Sequence, residues 1–187
     1  MKKKFNFFKE AISTAKTSGT IIPSSRFLAE KMLKHVDFNN SDLIVELGPG
    51  NGAITKHILN KIQPKTKLVC FEINEAFYQE LLKIDHPQCV VLKASAENIR
   101  EEIKQLGYDK ADAIISSLPL SIIPNEVAQN ILEESYQTLK NKAPFTQFQY
   151  SLNYYKKLKE IFKKKNVSLN FEPLNIPPAF IYNCTKN

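Results

Sequence analysis

The sequence predicts an α/β fold: a Rossmann-like doubly wound sheet, mostly parallel, with an antiparallel C-terminal edge and N-terminal helices ahead of it. Three observations carry that prediction. Short apolar runs rich in β-branched residues alternate with amphipathic helical stretches between Leu43 and Tyr150, as in parallel strands joined by crossover helices. A glycine-rich turn, Gly48-Pro49-Gly50-Asn51-Gly52, directly follows the first of those runs. Two more apolar runs come after the last helical stretch, where an antiparallel pair can finish the sheet.

Residues 4–16 read as a basic amphipathic helix, with Phe5, Phe8, Ile12 and Ala15 on one face. Such a helix can pack on the domain or lie on a membrane surface. Residues 17–25 form a loop in which Pro23 ends that helix and the serines cap a second, expected over 26–35 with Phe27, Leu28 and Met32 inward. The run Leu43-Ile44-Val45 is the first strand, closed by Glu46 and the glycine turn, and Ile54, Ile58 and Leu59 mark the helix that follows. Residues 67–72, 88–92, 111–116 and 145–150 supply four more strands, with helices over 75–82, 96–106 and 126–139 between them. Residues 154–165 are a lysine-rich helix, and 167–171 and 179–184 are the closing strands. A chain of 187 residues is enough for one domain with a real core, and a single domain is expected, with a helical lead over 1–36 and the Rossmann-like core over 41–187.

No apolar run approaches the roughly 20 residues that cross a bilayer. In the opening MKKKFNFFKE, Lys9 and Glu10 interrupt the apolar stretch that a secretory signal needs, so a cytoplasmic protein is expected. Cys70, Cys89 and Cys184 form no CxxC pair, and His35, His57 and His86 lack metal-ligand spacing, so neither a disulfide framework nor a metal site is expected. The net charge of +7 points to an anionic partner, a membrane surface or a nucleic acid.

In a doubly wound sheet the ligand lies at the carboxyl ends of the central strands. Glu72 ends the second strand, where an acidic side chain can accept hydrogen bonds from both hydroxyls of a ribose. The third strand ends near Ser95 and Ala96, whose hydroxyl and backbone amides suit an adenine edge. The fourth ends in Ser116-Ser117-Leu118-Pro119-Leu120, a stiff loop that borders the reacting atoms. Gly48, Gly50 and Ala53 loosely satisfy a dinucleotide fingerprint, so NAD competes for the site. Against it, Glu46 would repel a pyrophosphate but suits a ligand carrying an ammonium group. S-adenosylmethionine, with an ammonium, a sulfonium and a ribosyl adenine, fits that requirement.

The ELGPGNG segment, the FEIN strand end and the SSLPL loop resemble the class I S-adenosylmethionine-dependent methyltransferases over residues 41–150. The basic aromatic lead, Ile22-Pro23-Ser24-Ser25-Arg26, Ser117-Leu118-Pro119-Leu120, Gln147-Phe148-Gln149-Tyr150 and Ile176-Pro177-Pro178-Ala179 resemble the bacterial phospholipid N-methyltransferases over nearly the whole chain. That resemblance implies methylation of the amine of phosphatidylethanolamine, or of ornithine lipids or another small amine. It implies cofactor-binding roles for Glu46, Gly48, Gly50, Gly52 and Glu72, and site-lining roles for Ser117, Leu118, Pro119 and Tyr150. Ser95 stands where many methyltransferases place an acidic residue beside the adenine. Ribosomal RNA adenine dimethyltransferases resemble the chain too, and methylation of an RNA adenine is the alternative. Their loop resembles Asn-Leu-Pro-Tyr, and here Ser117 and Leu120 replace the Asn and the aromatic residue that hold a flipped base.

The implied reaction is an in-line displacement in which the acceptor nitrogen attacks the sulfonium methyl. Ser117 and Tyr150 are the candidate catalytic residues, with Ser117 and Leu118 also beside the cofactor. Pro119, Tyr150 and Tyr182 are candidate substrate contacts, and carbonyls near Ser117 are candidates to orient the amine. The competing reading of each tyrosine is a core residue whose hydroxyl bonds the backbone. Lys156, Lys159 and Lys163 share one side of the C-terminal helix and, with the basic lead, could meet anionic headgroups at the inner membrane face.

Overall fold

The computed structural model describes residues 25–187. The expected helix over 4–16 and the loop up to Ser24 lie outside the described residues. Helix α1 (Arg26–Met32) starts at Ser25, whose side chain accepts from the Leu28 amide and whose role as a cap matches its residue type. It stops short of the expected His35, because the chain turns at Leu33 to deliver β1. The remaining elements are β1 (Leu43–Leu47), α2 (Ala53–Leu59), β2 (Lys67–Phe71), α3 (Glu75–Leu81), β3 (Cys89–Leu92), α4 (Ile99–Gln105), β4 (Ala113–Ser116), α5 (Asn125–Thr138), β5 (Pro144–Gln149), α6 (Tyr155–Phe162), β6 (Val167–Glu172) and β7 (Ala179–Thr185).

The seven strands form one sheet in the order β3-β2-β1-β4-β5-β7-β6. Strands β1 to β5 are mutually parallel, and β7 runs antiparallel between β5 and β6. The expected mostly parallel sheet with an antiparallel C-terminal edge is therefore the observed one. The strand order reverses between β1 and β4, so the crevice of this sheet opens at their carboxyl ends.

Side chains alternate across β1. Leu43, Val45 and Leu47 join a core with Ile99, Ile103, Ile131, Leu158 and Phe162 from α4, α5 and α6. Ile44 faces the other way, toward Leu28 and Met32 of α1 and Ile54 and Ile58 of α2. Both faces of the sheet are thus covered, which is why its central strands read as continuous apolar runs.

Two helices differ from expectation. The helix expected over 96–106 opens with a 3-10 turn, Ala96–Asn98, before α4 begins. The helix expected over 154–165 breaks at Lys163, which takes a φ of 66°, and a 3-10 turn over Lys164–Asn166 follows. The Asn166 side chain donates from Nδ2 to the Phe162 carbonyl at 2.9 Å, closing α6 while Phe162 stays buried in the core. Among the described residues, no helix is long and apolar enough to cross a membrane, and no group of three acidic, histidine or cysteine side chains could hold a metal ion.

Candidate active site

The glycine turn leaves β1 and enters α2 with Gly48, Gly50 and Gly52 at φ values of 65°, 58° and 78°. Positive φ at all three positions is the chemical reason for glycine there. Their surroundings differ. A Cβ on Gly48 would stand 2.7 Å from Leu118 Cδ2, so the first glycine admits the loop that follows β4. A Cβ on Gly52 would meet Leu81 Cδ2 and Ile84 Cδ1 at 3.2 Å, so the third glycine serves packing against α3 and its exit. Gly50 has nothing within 4 Å on that side, which makes it the glycine with open space for a ligand.

Two carboxylates support this turn from below and from the side. Glu72 follows β2; its Oε2 accepts from the Gly50 amide at 3.1 Å and its Oε1 accepts from the Asn74 amide at 2.8 Å. The side chain expected at a ribose is thereby fixed in register with the glycine turn. These two bonds hold the carboxylate at the edge of the crevice. Glu46 sits on β1 facing α2, where Thr55 donates to its Oε2 at 2.7 Å and the Cys70 thiol approaches the same oxygen at 3.6 Å. Hydrogen bonding with Cys89, then burial and the Glu46 charge, hold the Cys70 thiol well above its ordinary pKa, so it remains a donor.

Glu46 corrects one expectation. It is fully buried rather than open at the strand end, and burial pushes its carboxyl up to about 7. At neutral pH it is a responsive group and not a standing negative charge. Its Oε1 is buried with no hydrogen-bond partner, as is the Oγ of Ser117. Orphaned acceptors at the ends of two adjacent strands, an open glycine and an oriented carboxylate fit S-adenosylmethionine. An ammonium over the turn would draw the Glu46 carboxyl into its ionised form.

The loop over residues 116–120 is held by three side chains that sequence reasoning left without a role. Gln147 and Gln149 each donate from Nε2 to the Leu118 carbonyl, at 3.1 and 2.8 Å. Tyr154 donates to the Leu120 carbonyl at 2.8 Å. Both glutamines point from β5, at alternate positions, and that i, i+2 spacing inside an apolar strand is the signal that could have found them. The same Leu118 oxygen also accepts from the Leu120 amide at 2.9 Å, so it is taken up within the loop. Ser117 itself is anchored by its amide to the Leu47 carbonyl at 2.9 Å, next to Pro119 in the same loop.

Three further residues take defined places. Ser95 Oγ caps the 3-10 turn, accepting from the Glu97 amide at 3.3 Å, and buried Ala96 follows it. Tyr150 stands at the carboxyl end of β5 with its ring edge-on to Phe148 at 5.7 Å, and 42% of the residue is exposed. Burial raises its phenol pKa against a lowering hydrogen bond with Asn175. Tyr182 is the correction here. It lies in β7 with no exposed surface, stacks on Tyr155 at 5.9 Å and donates to the Ser151 carbonyl at 2.8 Å. It braces the segment after β5 from within the core and does not line the crevice.

Comparison with known proteins bears on the fold and the activity. A family model described as ribosomal RNA adenine dimethylase matches residues 16–143. An ornithine lipid N-methyltransferase of Singulisphaera acidiphila is 27% identical over 180 residues, covering 95% of this chain and 91% of that protein. A ribosomal RNA small subunit methyltransferase A of Mycoplasma mycoides is 32% identical over 98 residues, which are 51% of this chain and 35% of that protein. A SAM-dependent methyltransferase structure from Aquifex aeolicus superposes with a TM-score of 0.62 at 13% identity, covering 85% of this chain and 89% of that one, and shares the fold.

Proposed function

We propose, for a chain that belongs to the ribosomal RNA adenine dimethylase family, a methyl acceptor other than a base: the amine of a membrane lipid such as phosphatidylethanolamine or an ornithine lipid. The chain is an S-adenosylmethionine-dependent methyltransferase by family, relatives and fold. The acceptor reading rests on one observation above all. Leu120, at the position where a base-specific loop carries an aromatic platform, is fully buried and offers no stacking face. The likeness to an ornithine lipid N-methyltransferase, spanning almost the whole of both chains, supports the same reading.

S-adenosylmethionine supplies the electrophilic methyl group when bound. The chain's own residues do the rest. Gly50 leaves room over the turn, Glu72 would hold the ribose of the bound cofactor, and the 116–120 loop closes the side toward β5. The acceptor amine must arrive neutral, since an ammonium has no lone pair, and its proton leaves to water at the open rim beside Tyr150. Ser117 Oγ, buried and without a partner, would accept a hydrogen bond from the amine and so orient its lone pair for transfer. In the transfer the N–C bond forms as the S–C bond breaks, leaving S-adenosylhomocysteine.

RNA adenine is the second reading, favoured by the description of the matching family. Incubation with methyl-labelled S-adenosylmethionine and separate bacterial lipid and ribosomal RNA extracts decides between them. Label in the lipid fraction is expected. Label confined to RNA overturns the lipid reading.

A further inference from the structure

The turn between β6 and β7 is inverted in polarity. Its one amide side chain, Asn175, is turned inward and is only 2% exposed, whereas Leu174 and Ile176 on either side are 60% and 73% exposed. Those are the most exposed large apolar side chains among the described residues. A loop in water ordinarily shows the opposite arrangement.

The Asn175 side chain and the Leu174 amide are satisfied from within. Asn175 Oδ1 accepts from the Ser25 amide at 3.0 Å, and its Nδ2 donates to the Pro177 carbonyl at 2.7 Å. Glu172 Oε1 accepts from the Leu174 amide at 2.8 Å, while its Oε2 pairs with Lys31 at 3.0 Å. Pro173, Pro177 and Pro178 contribute no amide donors at all. A tip whose amide side chain is turned inward and whose apolar side chains point outward suits the headgroup–acyl boundary of a bilayer, where its backbone stays within reach of water.

Its place is equally specific. Strand β7 begins opposite the carboxyl end of β5, with Phe180 paired to Gln149, so the turn stands at the rim of the crevice. Asn175 bonds Tyr150 there, and exposed Leu152 and Ile122 continue the apolar rim. The chain that leads into Ser25 carries Lys2, Lys3, Lys4, Lys9 and Lys16 against a single acid, Glu10. The chain as a whole carries a net charge of +7, which draws an anionic surface.

We propose that the β6–β7 turn, with Leu174 and Ile176 at its tip, inserts into the surface of an anionic lipid bilayer and holds the crevice mouth against it. The proposal rests on the lipid reading of the site, but its test needs no methyl transfer. The sequence contains no tryptophan, so Leu174→Trp in the full chain gives a single reporter. With vesicles of phosphatidylethanolamine and phosphatidylglycerol, its emission shifts to the blue and is quenched by brominated acyl chains. Leu106→Trp, at the end of α4 away from the rim, shows neither change. The double variant Leu174→Asp, Ile176→Asp keeps its melting temperature and loses vesicle partitioning by about tenfold or more.

Several outcomes overturn the proposal. One is a Leu174→Trp emission unchanged by vesicles. Another is a blue shift that grows with protein concentration in the absence of lipid, which would place a second copy on the tip. A third is emission already blue in the free monomer, which would mean that the chain covers the tip itself. If insertion is seen while label enters only RNA, the lipid-amine reading fails and the docking surface stands. If insertion is absent while a short-chain, monodisperse lipid amine is methylated, the reverse holds.

Discussion

Gln149 donates a hydrogen bond from its Nε2 to the Leu118 carbonyl oxygen at 2.8 Å, both groups buried, and this ties the end of β5 to the loop beyond β4. Leu118 in turn rests its side chain in the space that Gly48 leaves. The glycine turn and the acceptor-side loop are therefore one mechanical unit, joined through a leucine and clamped by an amide.

Gln149→Leu removes that clamp at nearly constant size. Loss of one net hydrogen bond costs about 1 kcal/mol, which lowers the melting temperature by roughly 2–4 °C in a chain of this length. Turnover falls by about tenfold as the loop beside the reacting atoms loosens. Cofactor affinity, read by titration calorimetry, stays within about twofold because Gln147 still holds the same carbonyl.

Gly48→Ala and Gly50→Ala separate two reasons for glycine. Both place an alanine at positive φ, a strain of about 1–2 kcal/mol. Only the first adds a collision, since its Cβ would lie 2.7 Å from Leu118 Cδ2 while Gly50 faces open space. Urea denaturation should rank Gly48→Ala as the less stable. Gly50→Ala instead shows its larger loss in S-adenosylmethionine affinity, because the new methyl occupies the open side of the turn.

Glu46 gives the cofactor-free protein a pH dependence with a defined sign. Its carboxyl titrates at about 7 in the folded state against 4.5 as an ordinary glutamate. Between those values the unfolded chain has released a proton that the folded chain retains, so stability falls as pH rises and levels off above 7. The change amounts to roughly 3 kcal/mol at most across that window. Glu46→Gln removes this component of the pH dependence, which denaturation midpoints measured from pH 4.5 to 8 would reveal against the wild-type slope.

Tyr182→Phe and Tyr150→Phe have opposite signatures. The first deletes the bond to the Ser151 carbonyl from a fully buried side chain, lowering stability by about 1 kcal/mol with KM for the acceptor unchanged. The second removes a hydroxyl at the half-open rim, leaving thermal stability within about 0.5 kcal/mol and raising that KM. Melting curves and initial rates on both variants check the pair.

The order of strands and helices was legible along the chain because each element has its own period: alternating or continuous apolar runs for β1 to β5, and a 3.6-residue repeat for the helices. The break of α6 at Lys163 was not, since nothing in a lysine-rich run marks which lysine takes positive φ. Glu46, Glu72 and the three glycines stood out by residue type and position at strand ends. What they touch did not, because the face on which a side chain lands depends on pairing partners far away in sequence.

By itself, then, the sequence determined a doubly wound sheet with a cofactor turn after its first strand, since local periodicity and glycine chemistry suffice for both. Tertiary structure alone decided that Glu46 is buried under α2, that Tyr182 is a brace and not a substrate contact, and that Leu118 fills the gap at Gly48. Each of these depends on long-range register, β1 between β2 and β4 and β7 between β5 and β6, and a register is a property of paired strands that no single strand carries.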